Sequence, residues 1–234
     1  MTSETIEKIR QAVETWDYYQ ELPPKLQGFR LDKTVRLTKD SYDIFAYISD
    51  ELHKRVVIYY HDETREYKLR IKLGVIEFCD ISFVAEDLNI FESQLRVNLE
   101  SLLANMAKFN PATLNSFVRH KKIVEWGENN KLPENILGFE LFVKPSEPVK
   151  INNGSYIVID YVDFALESSF TIYYNIFRDE FFGEARIVNI PDVSYDFDAG
   201  ELMELKEKLQ QHLEPRLQFI KDSAKRELLR KKKE

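Results

Sequence analysis

Cysteine is almost missing from this chain of 234 residues, which contains only Cys79. A single cysteine excludes an intramolecular disulfide, and nothing in cysteine usage indicates an oxidising compartment. Cys79 lies in the strand-like segment VIEFCDISF and is interpreted as a small, buried core residue. The four histidines have no metal-ligand spacing, and there is no CxxC or HExxH motif, so no metal site is predicted.

Glycine is also scarce, at seven residues that stand singly along the chain. Neither G-x-G-x-x-G nor G-x4-G-K-S/T occurs, which excludes the common phosphate-cradling loops, and no G-x-S-x-G nucleophile elbow is present. The sequence therefore predicts no cofactor and no catalytic residue, and these absences favour a protein that is not an enzyme.

Long apolar runs are missing as well. No segment approaches the roughly 18 apolar residues of a transmembrane helix, and the N-terminal MTSETIEKIRQAVETW lacks the apolar stretch of a secretory signal. A cytoplasmic location without membrane contact is expected. The formal net charge is −7, and residues 111–214 carry 10 basic against 18 acidic side chains. Residues 215–234 carry 8 against 3, so only the C-terminal tail could attract nucleic acid.

What the chain does contain is an internal repeat. Residues 22–31 are LPPKLQGFRL, and residues 132–141 are LPENILGFEL. Six identities recur at a spacing of 110: Trp16/Trp126, Leu22/Leu132, Pro23/Pro133, Gly28/Gly138, Phe29/Phe139 and Leu31/Leu141. After four extra residues near position 145 the spacing becomes 114 and stays there, for example in Tyr47/Tyr161. A period of this length indicates a whole small domain that has been duplicated.

Each copy shows the same order of patterns. An opening helix is predicted from apolar residues at spacings of three and four, ending at Trp16 in copy 1 and Trp126 in copy 2. Asn110 and Pro111 suit the start of the second one. Alternating and doubly apolar segments then predict strands, and short links such as HDETRE favour antiparallel pairing. A leucine-rich helix closes each copy, and Pro215 is expected to kink or end the second.

The fold class is therefore α+β: a tandem duplication of a helix–antiparallel sheet–helix unit with four or five strands. Predicted boundaries are 1–109 for the first unit, 110–220 for the second and 221–234 for a basic C-terminal tail. A pseudo-twofold arrangement is favoured because duplicated units often reproduce an ancestral homodimer.

Four tyrosines shared by the copies are the candidate binding residues: Tyr59, Tyr60, Tyr173 and Tyr174. Neighbouring strand positions point to opposite faces, so one of each pair could form a stacking platform for a peptide or ligand, while core packing is the simpler alternative.

Two charged patterns occur in one copy only. The basic alternation Arg65, Lys68, Arg70 and Lys72 is replaced in copy 2 by Asp179, Phe182, Glu184 and Arg186. The acidic stretch with Asp192, Asp196 and Asp198 could bind Ca²⁺ or supply paired acids, but copy 1 has Phe78, Ser82 and Val84 there. Solvated strand faces are the simpler explanation of both.

Three functions remain open. The first is a non-enzymatic protein that binds a protein or peptide partner. The second is a hydrolase-like enzyme that uses carboxylates or tyrosines in a cleft between the copies. The third is weak nucleic-acid binding through the basic tail.

Overall fold

The computed structural model describes residues 1–151 and 154–231, which form two compact units. Unit 1 comprises Met1–Leu73 and Glu77–Lys108, and unit 2 comprises Gly74–Ile76 and the chain from Phe109 onward. Each unit opens with short helices, continues with an antiparallel sheet and closes with a long helix. The predicted α+β fold with a repeated helix–sheet–helix order is confirmed.

Unit 1 begins with two helices and ends with one. Its elements are α1 (Ser3–Glu14), α2 (Asp17–Glu21), β1 (Lys25–Leu26), β2 (Phe29–Asp32), β3 (Arg36–Leu37), β4 (Ser41–Ser49), β5 (Lys54–His61), β6 (Glu66–Leu73), β7 (Ile76–Ala85) and α3 (Leu88–Ala107).

Unit 2 repeats this order after a 3-10 turn at Pro111–Thr113. Its elements are α4 (Ser116–His120), α5 (Ile123–Asn129), β8 (Asn135–Ile136), β9 (Phe139–Val143), β10 (Val149–Lys150), β11 (Ser155–Asp163), β12 (Ser168–Asn175), β13 (Glu180–Ile187), β14 (Ile190–Ala199) and α6 (Leu202–Lys231).

The two sheets have one topology. Strand order is β1-β2-β4-β5-β6-β7 in unit 1 and β8-β9-β11-β12-β13-β14 in unit 2, and β3 and β10 pair with β4 and β11. Even an irregularity is repeated, since the register shifts between Asp43 and Phe45 in β4 and between Ile157 and Ile159 in β11. Each sheet has seven strands, so the predicted four or five was too low. Two-residue strands are too short to show alternation in a sequence.

The repeated Gly-Phe pair lies at a tight hairpin. Gln27 and Gly28 connect β1 to β2 with φ values of 49° and 88°, and Leu137 and Gly138 connect β8 to β9 with 55° and 91°. Two consecutive positive φ values define the two-residue turn that matches the twist of paired strands, and glycine adopts this backbone without steric penalty. The repeat therefore keeps glycine where the backbone requires it.

A partly buried hydrogen bond explains a second repeated residue. The hydroxyl of Tyr47 donates to the carbonyl oxygen of Pro23 at 2.9 Å, and that of Tyr161 donates to Pro133 at 2.7 Å. Both rings are fully buried, and burial raises the pKa of Tyr47 to about 12. Each tyrosine thus ties a central strand to the Leu-Pro segment before the hairpin.

The predicted strand faces are also confirmed. In β6 the residues Tyr67, Leu69, Ile71 and Leu73 are buried, while the intervening residues are at least partly exposed. Strands β4 and β11 are buried on both faces, as their apolar character indicated. Leucines four apart on each closing helix cover one face of the sheet, and in unit 2 they belong to one core with β11, β12 and β13.

The opening of unit 2 differs from the prediction of one continuous helix. Asn110 caps the 3-10 turn as expected, but Asn115 caps a new helix, and Lys122 with φ 57° separates α4 from α5. Because the helix restarts at Asn115, the apolar stripe changes its register. Val118 is buried, while Phe117, which was predicted to lie in the stripe, is exposed.

Helix α6 continues through Pro215 to Lys231, so the expected break does not end it. Leu213 and Leu217 on either side of the proline are buried, and this packing offsets the lost hydrogen bond. Within the predicted tail, Lys221 donates to the carbonyl of Leu137 at 2.7 Å and Ala224 is fully buried. Residues 232–234 lie outside the described part. Among the helices that the structure describes, none has the length and apolarity needed to cross a membrane.

Candidate functional site

The four candidate tyrosines lie on two faces of each sheet. We call the face covered by the closing helix the helix face and the opposite one the second face. Tyr60 is on the helix face, where its ring lies 5.2 Å from that of Tyr67, which in turn stacks on Phe91 of α3. Tyr174 packs in the α6 core. Tyr59 and Tyr173, at adjacent strand positions, therefore lie on the second faces.

The hydroxyl of Tyr174 organises the turn between β12 and β13. It donates to Asp179 at 2.6 Å, and the ammonium of Lys121, after α4, lies 3.0 Å from the same carboxylate. These two donors hold the pKa of Asp179 below its usual range. Lys121 also lies 3.2 Å from Glu201, and only 9% of its side chain is exposed. One tyrosine and one lysine thus join α4 to this turn.

Two phenylalanines are exposed at this junction. Phe177 in the turn is 79% exposed, and Phe117 on α4, one helical turn before Lys121, is 57% exposed. The turn is ordered, because the Asn175 side chain accepts hydrogen bonds from the main-chain nitrogens of Phe177 and Arg178 at 2.9 and 3.1 Å.

The two elements that carry the rings also carry exposed basic side chains. Together with the two rings these side chains form what we call the aromatic–basic surface: Phe117, Arg119, His120, Phe177 and Arg178. The turn of unit 1 that corresponds to residues 175–180 has Glu63 and Thr64 in place of Phe177 and Arg178. Since both units have the same fold, the fold itself does not require these two residues.

This surface is not predicted from the sequence. The spacing of Phe117 to neighbouring apolar residues fits a helix stripe and so predicts a core position. Phe177 lies in NIFRDE, which the sequence indicates only as a short link. The indication that could have found it is a large aromatic residue in a tight turn whose counterpart, Glu63, is acidic.

The second face of unit 2 contains a buried carboxyl group. Asp160 is 0% exposed, its Oδ1 accepts from the Thr171 hydroxyl at 2.7 Å, and its Oδ2 has no hydrogen-bond partner among the described residues. Burial raises the pKa of Asp160 to about 7, against the opposing effects of Thr171 and the cation of Arg186. Tyr173 lies on the same face, and its ring stacks on Phe182 with centroids 5.1 Å apart.

Unit 1 contains a cavity of about 380 Å³ on its second face. Its lining comes from β4, β5, β6, β7 and the segment before β4: Thr38, Asp40, Ser41, Tyr59, His61, Arg70, Glu77, Phe78 and Cys79. Of the predicted tyrosines, only Tyr59 lines it. Arg70 comes from the predicted basic alternation, and it shares the lining with the carboxylates of Asp40 and Glu77.

Several contacts hold Arg70 in the lining of this cavity. Its Nη2 donates to both oxygens of Asp43 at 3.1 and 3.3 Å, and its Nε lies 3.4 Å from Glu77. Its guanidinium carbon lies 4.8 Å from the centroid of the Tyr59 ring, which is a cation–π geometry. Burial raises the pKa of Asp43 although Arg70 opposes this.

The titratable groups of the cavity are not tuned for nucleophilic attack. Burial raises the pKa of the Cys79 thiol and that of the Tyr59 hydroxyl, so both are protonated at neutral pH. The Nδ1 atom of His61 accepts a hydrogen bond from the main-chain nitrogen of Thr64. This arrangement can bind a ligand through charge and hydrogen bonds more readily than it can activate a nucleophile.

The acidic stretch with Asp192, Asp196 and Asp198 lies on β14, at the edge of its sheet. Asp192 forms an ion pair with Arg216 of α6 at 2.7 Å. Across residues 1–151 and 154–231, no three His, Cys, Asp or Glu side chains converge as metal ligands.

Comparison with protein-family models, with curated proteins and with solved structures finds no match to this chain.

Proposed function

We propose that this protein is a non-enzymatic binding protein and that it engages a protein partner through the aromatic–basic surface of unit 2. The observation that carries the proposal is the pair of exposed phenylalanines, Phe117 and Phe177, at an ordered junction. Burying such a ring in an interface stabilises a complex by about 1.5–3 kcal/mol, and aromatic residues dominate the centres of interfaces.

The charge of the surface indicates the chemistry of the partner. Arg119 and Arg178 are exposed on the two elements that carry the rings. Arg178 lies 3.1 Å from Glu180 at the surface, whereas Lys121 is paired with both Asp179 and Glu201. A complementary segment would present carboxylates for the arginines and apolar side chains for the phenylalanines. The partner is therefore a protein segment that combines acidic and apolar residues.

Site-specific photocrosslinking tests this proposal. A benzophenone amino acid replaces Phe177, and in a matched control it replaces Glu63, the equivalent turn position of unit 1. In the native host we expect a discrete crosslinked species from position 177 alone, and the crosslinked segment, identified by mass spectrometry, should contain both acidic and apolar residues.

The segment is then synthesised and its affinity measured by fluorescence anisotropy. Phe177→Ser should weaken binding by about tenfold or more, and Glu63→Ser should leave it unchanged. Equal crosslinking from both positions, a basic segment, or equal affinity of the Phe177→Ser variant would each contradict the proposal.

A further inference from the structure

We infer that the unit 1 cavity binds an organic cation, namely an alkylammonium or guanidinium group. This site is separate from the aromatic–basic surface. The cavity is lined by one arginine and two carboxylates, Asp40 and Glu77, and a third carboxylate, Asp43, lies directly against the arginine.

The positive charge of Arg70 is paired inside the protein, although its Nε has no hydrogen-bond partner among the described residues. Asp43, whose side chain is 8% exposed, receives both hydrogen bonds from the Arg70 Nη2. The guanidinium is further fixed over the Tyr59 ring. An incoming anion would have to compete with Asp43, while a cation meets the remaining carboxylates.

Those remaining carboxylates are accessible. The Glu77 side chain is half exposed and has only a long contact of 3.4 Å to Arg70. The Asp40 carboxylate makes no ion pair or hydrogen bond within the described part of the chain. Three nearby cations are paired with other carboxylates: Lys68 lies 2.8 Å from Glu66, the Met1 ammonium 3.2 Å from Asp62, and Arg36 3.3 Å from Asp32. The cavity therefore carries an excess of negative charge that favours a cation.

The cavity chemistry is specific to unit 1. At the positions of Asp43, Arg70 and Glu77, the second unit has Ile157, Glu184 and Pro191. Cys79 corresponds to Val193, and Asp40 to Gly154. Because unit 2 reaches the same strand order without these groups, the fold does not require them. A partly buried ion pair that the fold does not need is consistent with a binding role.

The single thiol supplies a built-in reporter, since Cys79 lines the cavity and the chain has no other cysteine. Its rate of modification is measured with two methanethiosulfonates of similar size, one bearing trimethylammonium and one bearing sulfonate. Each rate is divided by the rate at which the same reagent modifies 2-mercaptoethanol. We expect the normalised cation-to-anion ratio to be about tenfold or more at low salt. Glu77→Gln should lower it about threefold, whereas Glu86→Gln, an exposed residue outside the cavity, should not change it.

Protection of Cys79 against neutral iodoacetamide then distinguishes two sources of the cation. Protection by butylammonium assigns the site to free amines, and protection only by acetyl-Gly-Lys-Gly-amide assigns it to a lysine side chain of another chain. Butyrate should not protect. A normalised ratio near one overturns the inference. The inference also fails if neither reagent modifies the native thiol and butylammonium shifts no amide resonance of residues 76–80.

Discussion

The carboxyl group of Asp160 makes the stability of the protein depend on pH in an unusual direction. Its pKa is raised from the ordinary 3.8 to about 7 by burial. Between about pH 4 and pH 7 the folded protein therefore keeps a proton that the unfolded chain has released. The free energy of unfolding must fall as the pH rises through this window.

The size of the effect follows from the shift in pKa. One pKa unit is worth about 1.4 kcal/mol, so the interval from 3.8 to about 7 corresponds to about 4 kcal/mol. Asp160→Asn removes the titrating group but keeps its size and can still accept from Thr171. We expect the variant to match the wild type near pH 4 and to be more stable by about 2–4 kcal/mol at pH 8. The lower bound allows for Arg186, which loses an opposite charge.

The assay is urea denaturation followed by circular dichroism at several pH values between 4.5 and 8.5. Asp196→Asn, an exposed residue on β14, is the matched control and should show no pH-dependent gain. A difference between Asp160→Asn and the wild type that stays constant across this range would refute the assigned burial of the carboxyl group.

Two further predictions concern the residues that the repeat preserves. Tyr161→Phe removes the hydroxyl that donates to Pro133 and leaves a carbonyl without its donor, so unfolding by urea should show a loss of about 1–2 kcal/mol. Gly138→Ala should cost about 1 kcal/mol because φ is 91° there. Gly200→Ala, where the added methyl group meets open space, should cost less in the same measurement, and an equal loss at both glycines would contradict the assignment of the turn.

Much of the fold could be predicted from the sequence because its determinants are local or repeated. The alternation in β6 directly gives its buried face, and the repeated Gly-Phe pair indicates a turn that leads into a strand in both units. The two-residue strands β1, β3, β8 and β10 could not be predicted, because they are too short to carry a pattern of their own. The restart of the helix at Asn115 could not be predicted, because apolar residues on both sides of a cap can have the same spacing as the stripe of one continuous helix.

The candidate site was predicted only in part. Tyr59 lines the unit 1 cavity and Tyr174 positions the turn beside Phe177, while Tyr60 packs on the helix face. Asp43 is not among the predicted site residues. It is a charged residue within the apolar segment SYDIFAYIS, and the corresponding residue of the second copy is Ile157, which together could have indicated a functional position.

The sequence by itself determined the internal repeat, the helix–sheet–helix order of each unit, and the glycine turns. These depend on spacing and on the conformational preferences of single residues, which the linear chain contains in full. Only the tertiary structure decided that Arg70 meets Asp43 across 27 positions, that Phe117 faces solvent, and that Asp160 loses its contact with water. Contact and burial are properties of residues distant in the chain, and the charge state of a carboxyl group follows from them.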